Sequence, residues 1–202
     1  MTMLRSIVFL SLALFLPHSF GQQADATAIS DSQKAKMARH VRQEFLHAWN
    51  GYRKYAWGHD ALKPLSKSYH DWYSAPLLMS PVDALDTMIL MGMNDEAATT
   101  REYIARNLSF DRDIYVKNFE ITIRLLGGLL SSYQLTGDRR LLTLADDLGT
   151  RLLPAFNSPT GMPYVFVNLK TGAVRGELTN PAEVGSLLIG RASCRERVCL
   201  GV

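Results

Sequence analysis

Cysteine is the scarcest informative residue in this sequence. Only two cysteines occur in 202 residues, Cys194 and Cys199, and both lie near the carboxyl end. No histidine or further cysteine accompanies them, so their spacing does not favour a metal site. The five histidines are scattered without an HExxH pattern, and the sequence has no nucleophile-elbow motif and no glycine-rich phosphate loop after a predicted strand. The sequence therefore does not predict a zinc peptidase, a serine hydrolase of the elbow type or a nucleotide-binding protein.

A strong excess of one charge is also missing. The 22 Lys and Arg residues are nearly balanced by 19 Asp and Glu residues, which gives a formal net charge of +3. No run of basic residues occurs, so a nucleic acid is not an expected partner. Hydrophobic residues make up 47% and aromatic residues 9% of the chain, as is ordinary for a folded globular protein.

The first 21 residues resemble an export signal. Arg5 supplies the positive charge, residues 7–16 form an apolar run too short for a transmembrane helix, and Ser19 and Gly21 suit a cleavage site after Gly21. A membrane anchor or a buried helix is the alternative interpretation. We expect residues 1–21 to be a signal peptide and the mature protein to be exported without a stable membrane span. Its location would be the periplasm or the medium, or the secretory pathway if the host is eukaryotic.

The opposite end, residues 189–202, reads IGRASCRERVCLGV and has no helical or strand period. Its first ten letters match one reading frame of a common sequencing adapter. We therefore interpret residues 189–202 as adapter read-through and residues 22–188 as the native mature part. The competing interpretation is a short Cys-x4-Cys metal or redox motif, which lacks any supporting ligand.

Between Asp31 and Phe156 the pattern of apolar residues is helical. Gly137 suits the left-handed end of one helix and Asp138 the N-cap of the next, so these two helices should form an αα-hairpin. Gly127 and Gly128 interrupt an apolar helix, which indicates that another backbone approaches closely. Four sets of spaced side chains should form the inward faces: Met37, Val41, Phe45, Trp49 and Tyr52; then Ile104, with Asn94 as a cap; then Phe119, Ile123, Leu126 and Leu130; then Leu141, Leu142, Ala145 and Leu148.

After Pro154 the pattern changes to that of a strand and a turn. Tyr164 to Leu169 is β-branched and aromatic, and Lys170-Thr171-Gly172 follows it. Successive αα-hairpins with a short β-hairpin excursion are typical of a helical toroid, in which paired helices close into a ring. We therefore predict an all-α fold of this kind, of which only the amino-terminal portion is present.

Candidate catalytic groups lie on two of the predicted helices. Asp83 and Asp86 are at i and i+3 on an otherwise apolar helix, where a carboxylate is costly to bury without a partner. Glu120 and Arg124 are at i and i+4, the favourable order for an ion pair. From spacing alone, a solvated surface pair is the commoner arrangement. The flanking apolar residues instead favour the margin of a core or a cleft, where the pKa of a carboxyl group can rise as a general acid requires.

Four segments resemble consecutive blocks of glycoside hydrolase family 47, the class I α-mannosidases. They occur in family order and cover about His47 to Ser186: HAWNGYRKYAWGHDALKPLSKS, VDALDTMILMGM, NFEITIRLLGGLLSSYQLTGD and LGTRLLPAFNSPTGMPY. The resemblance implies an (α/α)7 barrel, removal of α-1,2-linked mannose with inversion, and a Ca²⁺ ion at the base of the barrel.

The resemblance also implies roles for particular residues. Glu120 matches the general acid, acting directly or through a water molecule, and Arg124 matches an arginine that contacts substrate. Glu183 matches an acidic residue that lines the substrate pocket, and Asp86 matches a recurring acidic residue of its block, which we assign to substrate binding. The second catalytic carboxylate and the calcium ligand fall in later blocks, so no metal ligand is expected among the residues present. The connection from Val174 to Glu183 is shorter than in the eukaryotic enzymes, which affects the alignment of Glu183 and the subsites.

The expected parent protein is thus an inverting exo-α-1,2-mannosidase acting on high-mannose oligosaccharides or glycoprotein N-glycans, and this fragment is expected to be inactive by itself. The alternative is a mannosidase-like, lectin-type protein that binds such glycans with little hydrolysis. The presence of Glu120 favours the enzyme, because a binding protein has no need of the acid.

Overall fold

The computed structural model describes residues 29–176 and 180–187. The predicted signal peptide, residues 1–21, and the predicted adapter segment, residues 189–202, lie outside the described residues. The chain divides into two compact units with a boundary after His40. In the first unit the described residues are 29–40, which include the start of helix α1. The second unit contains everything else described below.

The second unit is built mainly from helices. The helical elements of the whole described chain are α1 (Asp31–Tyr55), α2 (Met79–Leu90), α3 (Asn94–Asn107), α4 (Asn118–Ile121), a π-helix (Thr122–Leu126), α5 (Gly127–Thr136), α6 (Arg139–Leu152), a 3₁₀-helix (Leu153–Phe156) and α7 (181–187). Helix α2 packs against α3 and α5, and α5 packs against α6. This succession of paired helices confirms the predicted all-α class.

Two small antiparallel sheets interrupt the helices. Strands β1 (Ala61–Lys63) and β2 (Ser68–His70) form a hairpin that the sequence did not predict. The predicted strand after Pro154 is β4 (Phe166–Asn168), which lies between β3 (Tyr115–Lys117) and β5 (Val174–Arg175). The second sheet matters for function, because β3 leads directly into α4.

The predicted αα-hairpin between α5 and α6 is confirmed. Gly137 adopts a left-handed φ of 71°, and the Asp138 side chain accepts a hydrogen bond from the backbone N–H of Arg140. Leu141, Ala145 and Leu148 are fully buried on the inner face of α6.

The close approach predicted at the paired glycines is confirmed for Gly128. A Cβ atom placed on Gly128 would lie 2.9 Å from Cγ1 and 3.1 Å from the carbonyl oxygen of Val82 on α2. No such close approach occurs at Gly127, where a Cβ atom would lie 3.7 Å from the Thr122 carbonyl oxygen. The absence of a side chain at Gly128 therefore lets α5 lie directly against α2.

Two details predicted for the amino-terminal parts of helices α1 and α3 are wrong. On α1, Trp49 and Tyr52 are buried, but Met37 and Val41 are more than half exposed, so the buried face is confined to the carboxyl-terminal half. Asn94 is the first residue of α3 and not its cap. Met93 occupies the N-cap position, and no side-chain hydrogen bond caps the helix.

The predicted face of the helix from Phe119 is also wrong in part. Ile123 is 44% exposed, whereas Ile121, Leu125 and Leu129 are fully buried. The cause is the π-helix, in which i→i+5 hydrogen bonds put more residues into each turn. The wider turn rotates the following side chains relative to an α-helix, so a period of 3.6 assigns the wrong members to the buried face.

Candidate active site

The π-helix lies at the position of the candidate catalytic residues. Glu120 is in α4, just before the π-helix, and Arg124 is inside it. Single π turns inside α-helices are frequent at functional sites. The sequence predicted an i,i+4 pair here, but it carried no signal for the change in helix type.

Arg124 joins two carboxylates from different helices. Its Nε donates to Oε2 of Glu120 at 2.9 Å, and its Nη1 donates to Oδ2 of Asp83 on α2 at 3.1 Å. The side chains of Glu120, Arg124 and Asp83 are only 24%, 38% and 34% exposed. The Glu120–Arg124 pair is thus partly buried rather than fully solvated, which agrees better with a position at the margin of the core. Glu120, Arg124 and Asp83 are called the acid cluster below.

The surroundings of Asp83 weaken the acidity of its carboxyl group. Burial raises the pKa of Asp83, and the neighbouring Arg124 guanidinium partly offsets this effect. The hydrogen bond that Arg124 donates to Glu120 raises the pKa of Arg124, which stays charged. The cluster thus combines a fixed positive charge with a carboxyl group that retains its proton more readily than usual.

Glu183 lies at the entrance to α4 and not within the acid cluster. Its Oε1 is 2.6 Å from Nζ of Lys117, the residue that precedes α4, and both side chains are largely covered. The hydrogen bond to Glu183 raises the pKa of Lys117. The Lys117 backbone N–H donates to the Tyr73 hydroxyl at 3.1 Å, and burial raises the pKa of Tyr73. Glu183 therefore reaches the site through Lys117, three residues before Glu120.

Asp86 has different partners. Its Oδ2 accepts a hydrogen bond of 2.8 Å from the Ser131 hydroxyl on α5, and its Oδ1 accepts a longer one from Thr87. No hydrogen bond or ion pair joins Asp86 to Arg124 or Glu120 within the described residues. Asp86 therefore ties α2 to α5 beside the acid cluster.

Sequence reasoning missed one buried carboxylate, Asp60, and one aromatic neighbour, Trp72. Asp60 is completely buried, and its side chain accepts backbone N–H bonds from Trp72, Leu77 and Met79. The indole ring of Trp72 lies 5.2 Å from Cζ of Arg124. Both residues belong to stretches of ordinary composition, so no spacing signal was available to find them.

A cavity of about 480 Å³ adjoins the acid cluster on the side of α1. Its walls are mostly apolar and include Phe45, Trp49 and Tyr52, while Asp83 and Thr87 contribute polar groups from α2. The indole N–H of Trp49 is buried without a hydrogen-bond partner. Asp83 thus faces both Arg124 and this cavity.

The described residues do not fit a calcium site. Calcium requires six to eight oxygen ligands, and no group of three or more His, Cys, Asp or Glu residues in the described ranges is arranged to hold a metal ion. In the acid cluster, the Arg124 guanidinium occupies the position between the carboxylates and would repel a cation. No chemical step through calcium can therefore be assigned to these residues.

The described helices do not meet the requirements for a membrane span. None of them combines the length and the apolar character needed to cross a bilayer.

Comparison with known proteins agrees with the geometry. The model of glycosyl hydrolase family 47 matches residues 44–190. The chain is 50% identical over 132 residues to the endoplasmic reticulum mannosyl-oligosaccharide 1,2-alpha-mannosidase of Mus musculus, which is 65% of this chain and 20% of that protein. It is 46% identical over 132 residues to mannosyl-oligosaccharide 1,2-alpha-mannosidase MNS1 of Arabidopsis thaliana, covering 65% of this chain and 23% of that protein.

A solved structure gives the same result for the fold. The alpha-1,2-mannosidase from Trichoderma reesei matches with a TM-score of 0.73 and 31% identity, over 82% of this chain and 37% of that one. The chain spans about a fifth of the length of the curated relatives that it matches. Because the family model covers most of the chain, including the acid cluster, this protein belongs to glycosyl hydrolase family 47.

Proposed function

We propose that this chain supplies the acid-bearing part of the active site of an inverting exo-α-1,2-mannosidase. The substrates would be terminal α-1,2-linked mannose residues of high-mannose oligosaccharides or glycoprotein N-glycans. The observation that carries the proposal is the half-buried acid cluster, in which Arg124 on the π-helix joins Glu120 and Asp83, in a chain of family 47. The names of its relatives, which are mannosyl-oligosaccharide 1,2-alpha-mannosidases, support the same substrate class.

In the proposed reaction Glu120 is the general acid. It would give a proton, directly or through a water molecule, to the glycosidic oxygen as the bond from that oxygen to the anomeric carbon breaks. In an inverting enzyme a second carboxylate, about 6.5–9.5 Å away, removes a proton from a water that attacks the opposite face of the sugar. We assign that second carboxylate to no residue described here.

The other site residues would bind and orient the sugar. Arg124 has its Nε and Nη1 engaged by Glu120 and Asp83, which fixes the direction of its remaining N–H groups toward substrate oxygens. Glu183 and Asp86 are proposed to line the pocket, Glu183 through its contact with Lys117 and Asp86 beside Ser131. Calcium would be held by ligands outside the described residues. Export of the mature protein remains part of the proposal.

The proposal can be tested in a chimera. Residues 44–187 of this chain would replace the matching segment of the Trichoderma reesei alpha-1,2-mannosidase, and hydrolysis of an α-1,2-linked mannobiose would be followed by NMR. We expect a chimera that releases mannose of inverted configuration and loses activity by a factor of about 10²–10⁴ in Glu120→Gln, as is usual when a general acid is removed.

Glu102→Gln is the matched control. Glu102 is also paired with arginine, but it lies on α3 and contacts Arg106 and Arg140, not the acid cluster. Its replacement should leave turnover unchanged. Retained configuration in the product, or full activity in Glu120→Gln, would contradict the assigned mechanism. A chimera that binds the disaccharide without cleaving it would favour the glycan-binding alternative.

A further inference from the structure

The Arg124 guanidinium has a third neighbour besides its two carboxylates. Its Cζ lies 5.2 Å from the centre of the Trp72 ring, within the range of a cation–π contact. A contact on the face of the guanidinium uses none of its N–H donors, so it is compatible with both ion pairs. Trp72 is 37% exposed, and thus its indole is partly available to solvent beside the acid cluster.

The buried carboxyl group of Asp60 fixes the position of Trp72. Oδ2 of Asp60 accepts the Trp72 backbone N–H at 3.0 Å, and Oδ1 accepts those of Leu77 and Met79 at 2.7 and 3.2 Å. Asp60 is completely buried, and within the described residues its carboxylate accepts hydrogen bonds from these backbone groups alone. A buried carboxylate needs such bonds to be tolerated, so it locks the loop that carries Trp72.

The same carboxylate also fixes the start of α2. Met79 is the first residue of that helix, and the backbone oxygen of Asp60 accepts bonds from both the N–H and the hydroxyl of Ser80. Asp83 follows one turn later. Asp60 therefore controls two of the three groups around Arg124, the indole of Trp72 and the carboxylate of Asp83, although no hydrogen bond or ion pair joins Asp60 to Arg124 within the described residues.

We propose that Trp72 and Asp60 are positioning residues for Arg124: the Trp72 indole covers the guanidinium and holds it between Glu120 and Asp83, and buried Asp60 fixes the indole and the start of α2. The inference rests on the proposed function for its consequence, the orientation of Arg124 toward substrate. The arrangement itself is a property of the chain and can be measured without turnover.

Fixing Arg124 has a clear physical purpose. An arginine side chain loses much rotamer freedom when it is ordered, and Arg124 must meet partners on two helices at once. A guanidinium that is already held by an aromatic face loses less entropy when it binds a substrate oxygen. Positioning also keeps Glu120 and Asp83 apart on opposite sides of one cation.

The test uses the full chain labelled with ¹⁵N-arginine. We expect the Arg124 Hε resonance, identified by its loss in Arg124→Lys, to be shifted upfield by the ring current of Trp72 and protected from exchange. Trp72→Leu should abolish the upfield shift and speed exchange, whereas Trp72→Phe, which keeps an aromatic face, should restore part of both. Asp60→Asn should weaken the shift without removing any atom that contacts Arg124.

Tyr69→Leu is the matched control. Tyr69 is another exposed aromatic residue three positions earlier, 50% exposed against 37% for Trp72, but its ring stacks on His59. This variant should leave the Arg124 resonance unchanged, and thermal unfolding should confirm that the exposed-site variants remain folded. If Asp60→Asn does not fold, the Trp72 series still decides the question.

An unshifted resonance in the wild type, or one that Trp72→Leu leaves in place, would overturn the inference. A shift that depends on Trp72, together with a chimera that neither binds nor cleaves the mannobiose, would support the positioning role and count against the proposed function. The two ideas therefore fail on different measurements.

Discussion

The contact between α2 and α5 can be tested by adding one methyl group. We compare Gly128→Ala with Gly127→Ala, because the two glycines are adjacent in α5 and partly buried to a similar degree. Each substitution should gain about 1 kcal/mol of helix propensity. The variants differ in what the new Cβ atom meets, so their difference isolates the packing term.

At Gly128 the new atom would lie 2.9 Å from Val82 Cγ1 and 3.1 Å from the Val82 carbonyl oxygen. Val82 is buried, and its backbone cannot yield without moving α2. Overpacking of this kind costs about 1–3 kcal/mol. At Gly127 the nearest atom would lie at an ordinary contact distance of 3.7 Å. We therefore expect Gly127→Ala to be stabilised by about 1 kcal/mol, and Gly128→Ala to be less stable than it by about 1–3 kcal/mol.

The assay is urea unfolding of both variants followed by circular dichroism, with thermal unfolding as a check. For a chain of this size the difference corresponds to about 2–4 °C in Tm per kcal/mol. Displacement of α2 should also loosen the bond between Asp83 and Arg124. Equal stability of the two variants, or a more stable Gly128→Ala, would refute the close packing of α5 on α2.

Three further changes test other contacts. The pKa of Asp83 is raised in the folded state, so ionisation of Asp83 destabilises the fold as the pH rises through that pKa. In urea titrations at a series of pH values, the unfolding free energy of the wild type should therefore fall relative to that of Asp83→Asn from about pH 4 toward neutral pH. A slope of the opposite sign would contradict the assignment. Gly137→Ala should lose about 1 kcal/mol in the same unfolding assay because its φ is 71°, with Gly137→Asn losing less. Ser131→Ala should cost about 1–3 kcal/mol by leaving Asp86 without its α5 partner, and an unchanged stability would show that this bond does not contribute.

Much of the fold was predictable because local chemistry and packing agree. Gly137 and Asp138 predict a turn, because glycine tolerates a left-handed φ and aspartate can cap the next helix. The structure has both the left-handed φ at Gly137 and the capping bond at Asp138. The apolar period of α6 identifies its buried face through Leu141 and Leu148, since that helix is regular throughout. A glycine inside an apolar helix correctly indicated a close backbone, at Gly128.

The candidate site was predictable only in part. Glu120 and Arg124 were found from spacing and family resemblance, but the bond from Arg124 to Asp83 joins residues 41 positions apart and depends on how two helices pack. Asp60 and Trp72 were missed because a buried carboxylate that binds only backbone N–H groups leaves no pattern in the sequence.

The π turn explains why the site and the mispredicted face occur at the same place. A regular helix would direct Ile123 according to its 3.6-residue period and would place Glu120 and Arg124 along one ridge of the surface. The wider turn instead leaves Ile123 44% exposed, which forfeits part of the roughly 1.5–3 kcal/mol that full burial of such a side chain contributes. In the same turn Arg124 contacts Glu120 on its own helix and Asp83 on α2. An energetic loss that coincides with a two-helix ion cluster is better explained by the chemistry of the site than by the stability of the fold.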